Sequence, residues 1–180
     1  MFTRNSLFVI GQALAIVVLF GVSVAQAHDG NDCYTVASLQ GSWTVVATFG
    51  ANFAKGIGTR TVDANGNFAG TALVNAPANT TSPSEVSFLS WTGARTITHV
   101  TQQGTYTTVN CDGTGQITRV LNGTIHQVDD FVITKGVVDH GRRIATEIQD
   151  VQEVPSAATQ GGFFVTRVQT RQPSDHDREQ

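Results

Sequence analysis

Hydrophobic and polar side chains alternate along most of the chain after residue 27, in short runs separated by turn residues. Within residues 41–49, for example, Trp43, Val45, Ala47 and Phe49 share one face. Because successive side chains of a β-strand point to opposite faces, this period of two predicts strands. The same pattern predicts further strands at residues 55–62, 67–75, 85–91, 95–102, 105–110, 116–123, 130–139, 142–151 and 162–171. Beyond a helical turn at residues 35–40, no window has helical periodicity, so the predicted fold class is all-β.

Turn residues link these strands in sequence order. Asp63-Ala64-Asn65-Gly66, residues 111–115 and His140-Gly141 carry the Asn, Asp and Gly residues that tight hairpins favour. Residues 76–83 and 155–162 are predicted loops. An antiparallel meander that stays open has two unpaired edges, and closing it removes both. We therefore predict a barrel of about eight to ten strands, with a β-sandwich as the alternative.

The first 27 residues have the organisation of a secretory signal. Arg4 is followed by an apolar run at residues 7–24 and by Ala25-Gln26-Ala27. This order predicts cleavage before His28, and an uncleaved membrane anchor is the alternative. The predicted organisation is a signal peptide at 1–27, a β-barrel domain at 28–172 and a disordered tail at 173–180. We expect a secreted or periplasmic protein.

The charge of the chain after residue 27 disfavours some partners. It has ten Lys and Arg against fourteen Asp and Glu, a formal charge of −4, and Arg142-Arg143 is its only pair of adjacent cations. Nucleic acid and an anionic membrane surface are therefore not expected as partners. The sequence does not indicate an oligomeric state.

Two cysteines follow the predicted signal, Cys33 and Cys111. In an oxidising compartment we expect them to form one disulfide, with two free thiols as the alternative. Neither lies in a C-x-x-C motif or beside a histidine, so a catalytic thiol is not predicted.

The start of the first strand resembles a known class of barrels. Residues 38–43, Ser-Leu-Gln-Gly-Ser-Trp, are similar to the entry of lipocalin-like (calycin) barrels, in which a helical turn leads into a strand with Gly-x-Trp. Gly41 and Trp43 match that motif. The resemblance implies that Trp43 packs under a basic residue of the last strand, Arg167 first and Arg171 second. The order of motifs is also similar to that of small secreted bacterial proteins without assigned activity.

The sequence contains no catalytic motif. G-x-S-x-G and phosphate-binding glycine loops are missing, and neither a cofactor nor a metal is predicted. Asp129 and Asp130 lie near His126, but a metal site needs more ligands than one segment shows, so we interpret them as a solvated turn. The candidates to line a ligand pocket are Phe49, Phe88, Trp91, His99 and Phe131.

Three functions are compatible with this pattern. The first is a barrel that binds a small apolar molecule in its lumen without catalysis. The second comes from a likeness to barrels of the allene-oxide-cyclase type, which isomerise or cyclise a substrate; it requires His99, Glu85 or Arg95 to point inward. The third is a filled barrel that acts as a structural surface module.

Overall fold

The computed structural model describes residues 32–50, 54–78, 94–153 and 165–173, and these residues form one short helix and eight β-strands. The helix is a 3₁₀ turn at Val36–Leu39. The strands are β1 (Gly41–Phe49), β2 (Ala54–Val62), β3 (Asn67–Pro77), β4 (Arg95–Val109), β5 (Thr114–Leu121), β6 (Ile125–Asp139), β7 (Arg142–Gln152) and β8 (Val165–Arg171).

The eight strands form a closed antiparallel barrel in sequence order. Each strand pairs with the next, and β1 also pairs with β8, from Trp43 opposite Arg171 to Phe49 opposite Val165. The predicted all-β meander and its closure are thus confirmed. Closure pairs the edges that an open sheet would leave exposed.

The two ends of the barrel differ. The 3₁₀ helix and the turns that follow β2, β4 and β6 lie at one end, which we call the base. The strand ends that flank residues 51–53, 79–93 and 154–164 lie at the opposite end, which we call the upper end.

The prediction placed most strand boundaries within a few residues, with two errors. The predicted strands at 95–102 and 105–110 are one strand, β4, because Gly104 lies inside the sheet against the backbone of β5 instead of in a turn. The turn at Asn122–Thr124 was missed, so β6 begins at Ile125 and not at Asp130. The predicted strand at 85–91 and loop at 155–162 lie outside the described residues, as does most of the predicted loop at 76–83.

The predicted turn after β2 is confirmed, and its side chains explain why it forms. The Asp63 carboxylate accepts hydrogen bonds from the backbone N–H groups of Asn65 (2.8 Å) and Asn67 (2.9 Å). Gly66 adopts a φ of 82°, in the left-handed region that glycine reaches without strain. The turn residues therefore set the register of the β2–β3 pair.

The base of the barrel is closed around Trp43, whose side chain is fully buried. Its indole N–H donates to the Leu39 carbonyl at 2.9 Å, which ties the 3₁₀ helix to the barrel. The guanidinium of Arg171 lies 5.3 Å from the centre of the indole ring. Arg171 also donates to the carbonyls of Ala145 (2.8 Å) and Ser38 (3.1 Å).

The basic partner of Trp43 is therefore Arg171, and the choice of Arg167 is corrected. The reason is the register between β1 and β8, in which Arg171 is opposite Trp43 and Arg167 is opposite Ala47. Gly41 belongs to the same arrangement, because a Cβ added there would lie 3.1 Å from the Arg171 guanidinium.

The predicted disulfide between Cys33 and Cys111 is confirmed. It joins the segment before the 3₁₀ helix to the turn between β4 and β5, where the Tyr34 N–H also donates to the Cys111 carbonyl at 3.2 Å. No helix among the described residues is long and apolar enough to cross a membrane.

Removal of this disulfide is expected to destabilise the barrel by about 2–4 kcal/mol, because the bond closes a long loop in the unfolded chain. The sequence separation of the two cysteines is 78 residues. We expect the Cys33→Ser/Cys111→Ser variant to unfold at a lower urea concentration than the wild type. Equal midpoints for the oxidised wild type and the double variant would contradict this role.

Candidate functional site: buried charges inside the barrel

The interior of the barrel has two layers of different character. The layer next to the base is apolar and contains Leu39, Trp43, Val62, Phe68, Tyr106, Ile117, Phe131, Ile133, Ala145 and Ile148. A second set of buried residues is polar or charged, and comprises Arg60, Gln102, Arg119, Gln127, Asp129, Asp150, Gln152, Arg167 and Gln169. The described interior is therefore partly apolar and partly charged.

The alternation of the strands brings five charged side chains into this interior. They come from five strands: Arg60 from β2, Arg119 from β5, Asp129 from β6, Asp150 from β7 and Arg167 from β8. Each has the same phase as a buried neighbour two residues away on its strand. Arg60, for instance, lies on the same face as Val62, while Thr59 and Thr61, on either side of Arg60, face outward and are exposed.

Four of these residues form a compact group of alternating charge, which we call the ionic cluster: Arg119, Asp129, Asp150 and Arg167. Asp129 accepts from Arg119 Nε at 2.6 Å and from Arg167 Nη1 at 2.8 Å. Asp150 Oδ1 lies 2.9 Å from Arg167 Nη1 and 3.4 Å from Arg119 Nη2. Each carboxylate thus contacts both arginines, which offsets part of the desolvation that burial costs.

Neutral side chains extend the ionic cluster. The Gln127 amide oxygen accepts from Arg167 Nη2 at 2.8 Å. Gln169 donates to Asp150 through its amide N–H and accepts from the Tyr106 hydroxyl at 2.9 Å. The network therefore reaches from the upper interior down to the apolar layer, where the edge of Tyr106 packs against Phe68 and Phe131.

The pKa shifts of Asp150 and Arg119 favour the charged forms of these two side chains. Burial alone would raise the pKa of Asp150, but the positive charges of Arg119, Arg167 and Arg60 outweigh it and lower that pKa. Burial would lower the pKa of Arg119, yet the Asp150 and Asp129 carboxylates raise it overall. Burial raises the pKa of Tyr106, so its hydroxyl stays protonated and can donate.

Stability is expected to fall in acid because of Asp150. Its pKa is lower in the folded than in the unfolded protein, so the ionised form stabilises the fold above the ordinary carboxyl pKa of about 4. That contribution is lost as the pH falls through the lower, folded-state value. We therefore expect the difference in free energy of unfolding between wild type and Asp150→Asn to shrink from pH 7 to pH 3, measured by urea denaturation. A difference independent of pH would contradict this assignment.

Arg60 differs from the other two buried arginines. It is 1% exposed, yet none of its three guanidinium nitrogens has a hydrogen-bond partner among the described residues. Its charge lies 4.6 Å from the centre of the Phe68 ring, an attractive cation–π contact. Burial and the nearby charge of Arg119 lower the pKa of Arg60 to about 10, so it remains a cation at neutral pH.

The buried charges do not balance. The described interior holds three guanidinium groups and two carboxylates, which leaves one positive charge in excess. Nη1 and Nη2 of Arg119 also have no hydrogen-bond partner within the described part of the chain. Unsatisfied buried donors cost stability unless something else supplies acceptors.

The three described candidates for a ligand pocket lie in different parts of the barrel. Phe131 is buried in the apolar layer, and Phe49 is half-buried at the upper end of β1. His99 lies on the outer face, opposite the outward-facing Leu73, and so does not line the interior. Phe88 and Trp91 lie outside the described residues.

The interpretation of Asp129 and Asp130 as a solvated turn is also wrong. Both lie within β6, where Asp129 is fully buried in the ionic cluster and Asp130 is exposed on the outer face. No three His, Cys, Asp or Glu side chains in the described ranges are grouped so that they could hold a metal ion.

Comparisons with known proteins add little to this geometry. No protein-family model matches the sequence, and no curated protein is significantly similar to it. Among solved structures, the chain is similar to EF1p2_mFAP2b bound to DFHBI, with a TM-score of 0.46 and 14% sequence identity. The match covers 75% of this chain and 94% of that chain. A likeness at this level does not indicate a ligand for this chain.

Proposed function

We propose that this protein binds a small molecule inside its barrel, next to the apolar layer at the base. The observation that supports this most is the buried guanidinium of Arg60, which has no hydrogen-bond partner among the described residues. A barrel with a purely structural role is more stable with apolar side chains inside. Departures from that rule that carry a stability cost are expected at functional sites.

The shape of the interior supports entry from the upper end. The base is closed by Leu39, Trp43 and the 3₁₀ helix. The inward-facing positions of β3 above Phe68 carry small side chains and are only half-buried; these are Gly70, Ala72, Val74 and Ala76. A ligand part that contacts these inward β3 positions is expected to be apolar, in agreement with the apolar ligand predicted from the sequence.

Two further parts of the proposal come from the sequence. Export to a secreted or periplasmic location rests on the signal pattern of residues 1–27, and a disulfide is compatible with an oxidising compartment. Kinship with lipocalin-like barrels is supported by the burial of Trp43 under a basic residue of the last strand. Both remain proposals.

The barrel-isomerase hypothesis is not favoured by the placement of its residues. His99 is on the outer face, and Arg95 is exposed and donates to Asn75 at 2.6 Å. Glu85 lies outside the described residues. We therefore propose binding without catalysis.

Native mass spectrometry of the protein purified from its own host tests this proposal. We expect a mass that exceeds that of the disulfide-bonded mature chain by one small molecule. Denaturing and refolding should remove that molecule and lower the melting temperature, and adding back the small-molecule extract should restore it. A bare mass before refolding, with an unchanged melting temperature after it, would instead indicate a filled structural barrel.

A further inference from the structure

The buried positive charge that no described residue neutralises constrains the chemistry of the ligand. Arg60 and Arg119 both contact the Phe68 ring, with their guanidinium carbons 4.6 Å and 5.8 Å from its centre. Free N–H groups of two guanidinium groups are therefore present beside one aromatic ring. Guanidinium groups bind the oxygens of carboxylate, sulfonate and phosphate groups, often through two hydrogen bonds.

We propose that the ligand carries one singly charged oxyanion, which Arg60 and Arg119 bind beside Phe68. This inference rests on the proposed function, since it assumes that a molecule enters the barrel. The ligand oxygens accept from guanidinium nitrogens that make no hydrogen bond or ion pair within the described residues: Nε, Nη1 and Nη2 of Arg60, and Nη1 of Arg119.

The charge count favours a monoanion over a dianion. Three arginines face two aspartates in the described interior, so one negative charge makes the site neutral. A dianion such as a phosphate monoester would leave an uncompensated negative charge, and unpaired buried charge is costly. The preferred head groups are therefore a carboxylate, a sulfonate or a phosphodiester.

The strands next to Arg60 carry small residues at their inward positions. In the barrel wall, Gly70 is the cross-strand neighbour of Arg60, and Gln102 is the neighbour of Gly70 on the next strand. Toward the upper end, the inward positions of β2 are Gly58, Gly56 and Ala54. Arg60, Gly70 and Gln102 are therefore in the same layer of the barrel, and Gly70 places no side chain between the other two. The buried amide of Gln102 is a candidate to contact the same anion.

Phe68 is held in place by another glycine. A Cβ added at Gly104 would lie 2.6 Å from Phe68 Cζ, so the ring occupies the space that a side chain at residue 104 would need. The ring thus has a fixed position beside the two arginines. This arrangement presents an apolar surface next to the proposed anion site, as suits an amphiphilic ligand.

Calorimetric titration of refolded, ligand-free protein tests the inference with four probes: octanoate, octane-1-sulfonate, octyl phosphate and 1-octanol. They share one alkyl chain and differ in the charge of the head group. We expect the carboxylate and the sulfonate to bind about 10–100-fold more tightly than the alcohol, as hydrogen bonds to charged groups predict. At pH 8, where its head group is doubly charged, octyl phosphate should bind more weakly than the sulfonate.

Variants of Arg60 test whether this residue causes the preference for an anionic head group. Arg60→Met and Arg60→Gln should each weaken octanoate binding by roughly 10–100-fold and leave 1-octanol unchanged. Arg142→Met is the matched control, because Arg142 is exposed on the outside of β7. It should bind every probe as the wild type does.

The outcomes separate the two proposals. If the wild type binds 1-octanol as tightly as octanoate, or if Arg60→Met binds octanoate normally, the anion site is wrong while small-molecule binding stands. If no probe binds, native mass spectrometry of the molecule that the protein retains from its host distinguishes the proposals. An acidic adduct that Arg142→Met keeps and Arg60→Met loses supports the site, a neutral adduct or one kept by both overturns it, and the lack of any adduct overturns both proposals.

Discussion

Replacing Arg60 with methionine is expected to stabilise the ligand-free protein, whereas the same replacement at Arg119 is expected to destabilise it. Arg60 is a buried cation without an acidic partner among the described residues, so methionine removes a desolvated charge and keeps most of the volume. We expect a gain of about 1–3 kcal/mol in the free energy of unfolding. Arg119 is paired with Asp129 and Asp150, so its loss leaves buried carboxylates with one arginine fewer and should cost about 3–5 kcal/mol.

Urea denaturation of refolded wild type, Arg60→Met and Arg119→Met measures both changes under one condition. Both variants remove one buried guanidinium group, but the expected changes in the free energy of unfolding have opposite signs. The comparison therefore separates a specific effect from a general one. A general intolerance of the interior would lower both stabilities. If Arg60→Met also lost several kcal/mol, Arg60 would have a structural partner, and the argument for a ligand at this position would fail.

The fold was predictable from the sequence because it depends on local patterns. The alternation of Trp43, Val45 and Ala47 against Thr44 and Thr48 predicts both β1 and the face that it buries. The Asn, Asp and Gly residues of the turns likewise predicted the ends of several strands, because a turn also depends on local sequence. The separation predicted between strands 95–102 and 105–110 was wrong, because β4 continues through Gly104. A glycine in a strand pattern marks either a turn or a close approach of two backbones, and only the tertiary structure distinguishes these.

The register of the barrel was not predictable in the same way. Arg167 and Arg171 lie on one strand with the same phase, so alternation cannot decide which of them covers Trp43. The answer depends on how β8 aligns with β1 when the barrel closes, which is a contact between distant parts of the chain. Long-range pairing of this kind leaves no signature in either strand alone.

The buried charges were missed although the sequence contained a signal for them. Arg119 follows Ile117 with the same phase, and Asp150 follows Ile148, so strict alternation would have placed these charges on the inner face. This alternation conflicts with the usual exposure of charged side chains, so the pattern alone does not decide whether they are buried. Aromatic residues were also uncertain pocket candidates, because a sequence does not distinguish an aromatic side chain that lines a pocket from one in the packed core. Phe131 is buried in the packed apolar layer.

Replacing Asp129 with asparagine is expected to destabilise the barrel much more than the same replacement at the neighbouring Asp130. Asp129 contacts both Arg119 and Arg167 and is fully buried, so the amide leaves three buried arginines with only Asp150 as a counter-charge. We expect a loss of about 3–5 kcal/mol. The neighbouring variant Asp130→Asn is a matched control, because Asp130 is exposed on the outer face and should change stability by less than about 0.5 kcal/mol.

Combining Asp129→Asn with Arg60→Met tests whether Arg60 belongs electrostatically to the same group. Arg60 makes no hydrogen bond to Asp129, but its charge acts on Arg119, Asp150 and Arg167. Removing Arg60 from the Asp129→Asn variant relieves one of the uncompensated positive charges, so the cost of Asp129→Asn should be smaller in the Arg60→Met background than in the wild type. Strictly additive effects, measured by urea denaturation of all four proteins, would show that Arg60 is independent of the ionic cluster and that the excess charge is not shared across the interior.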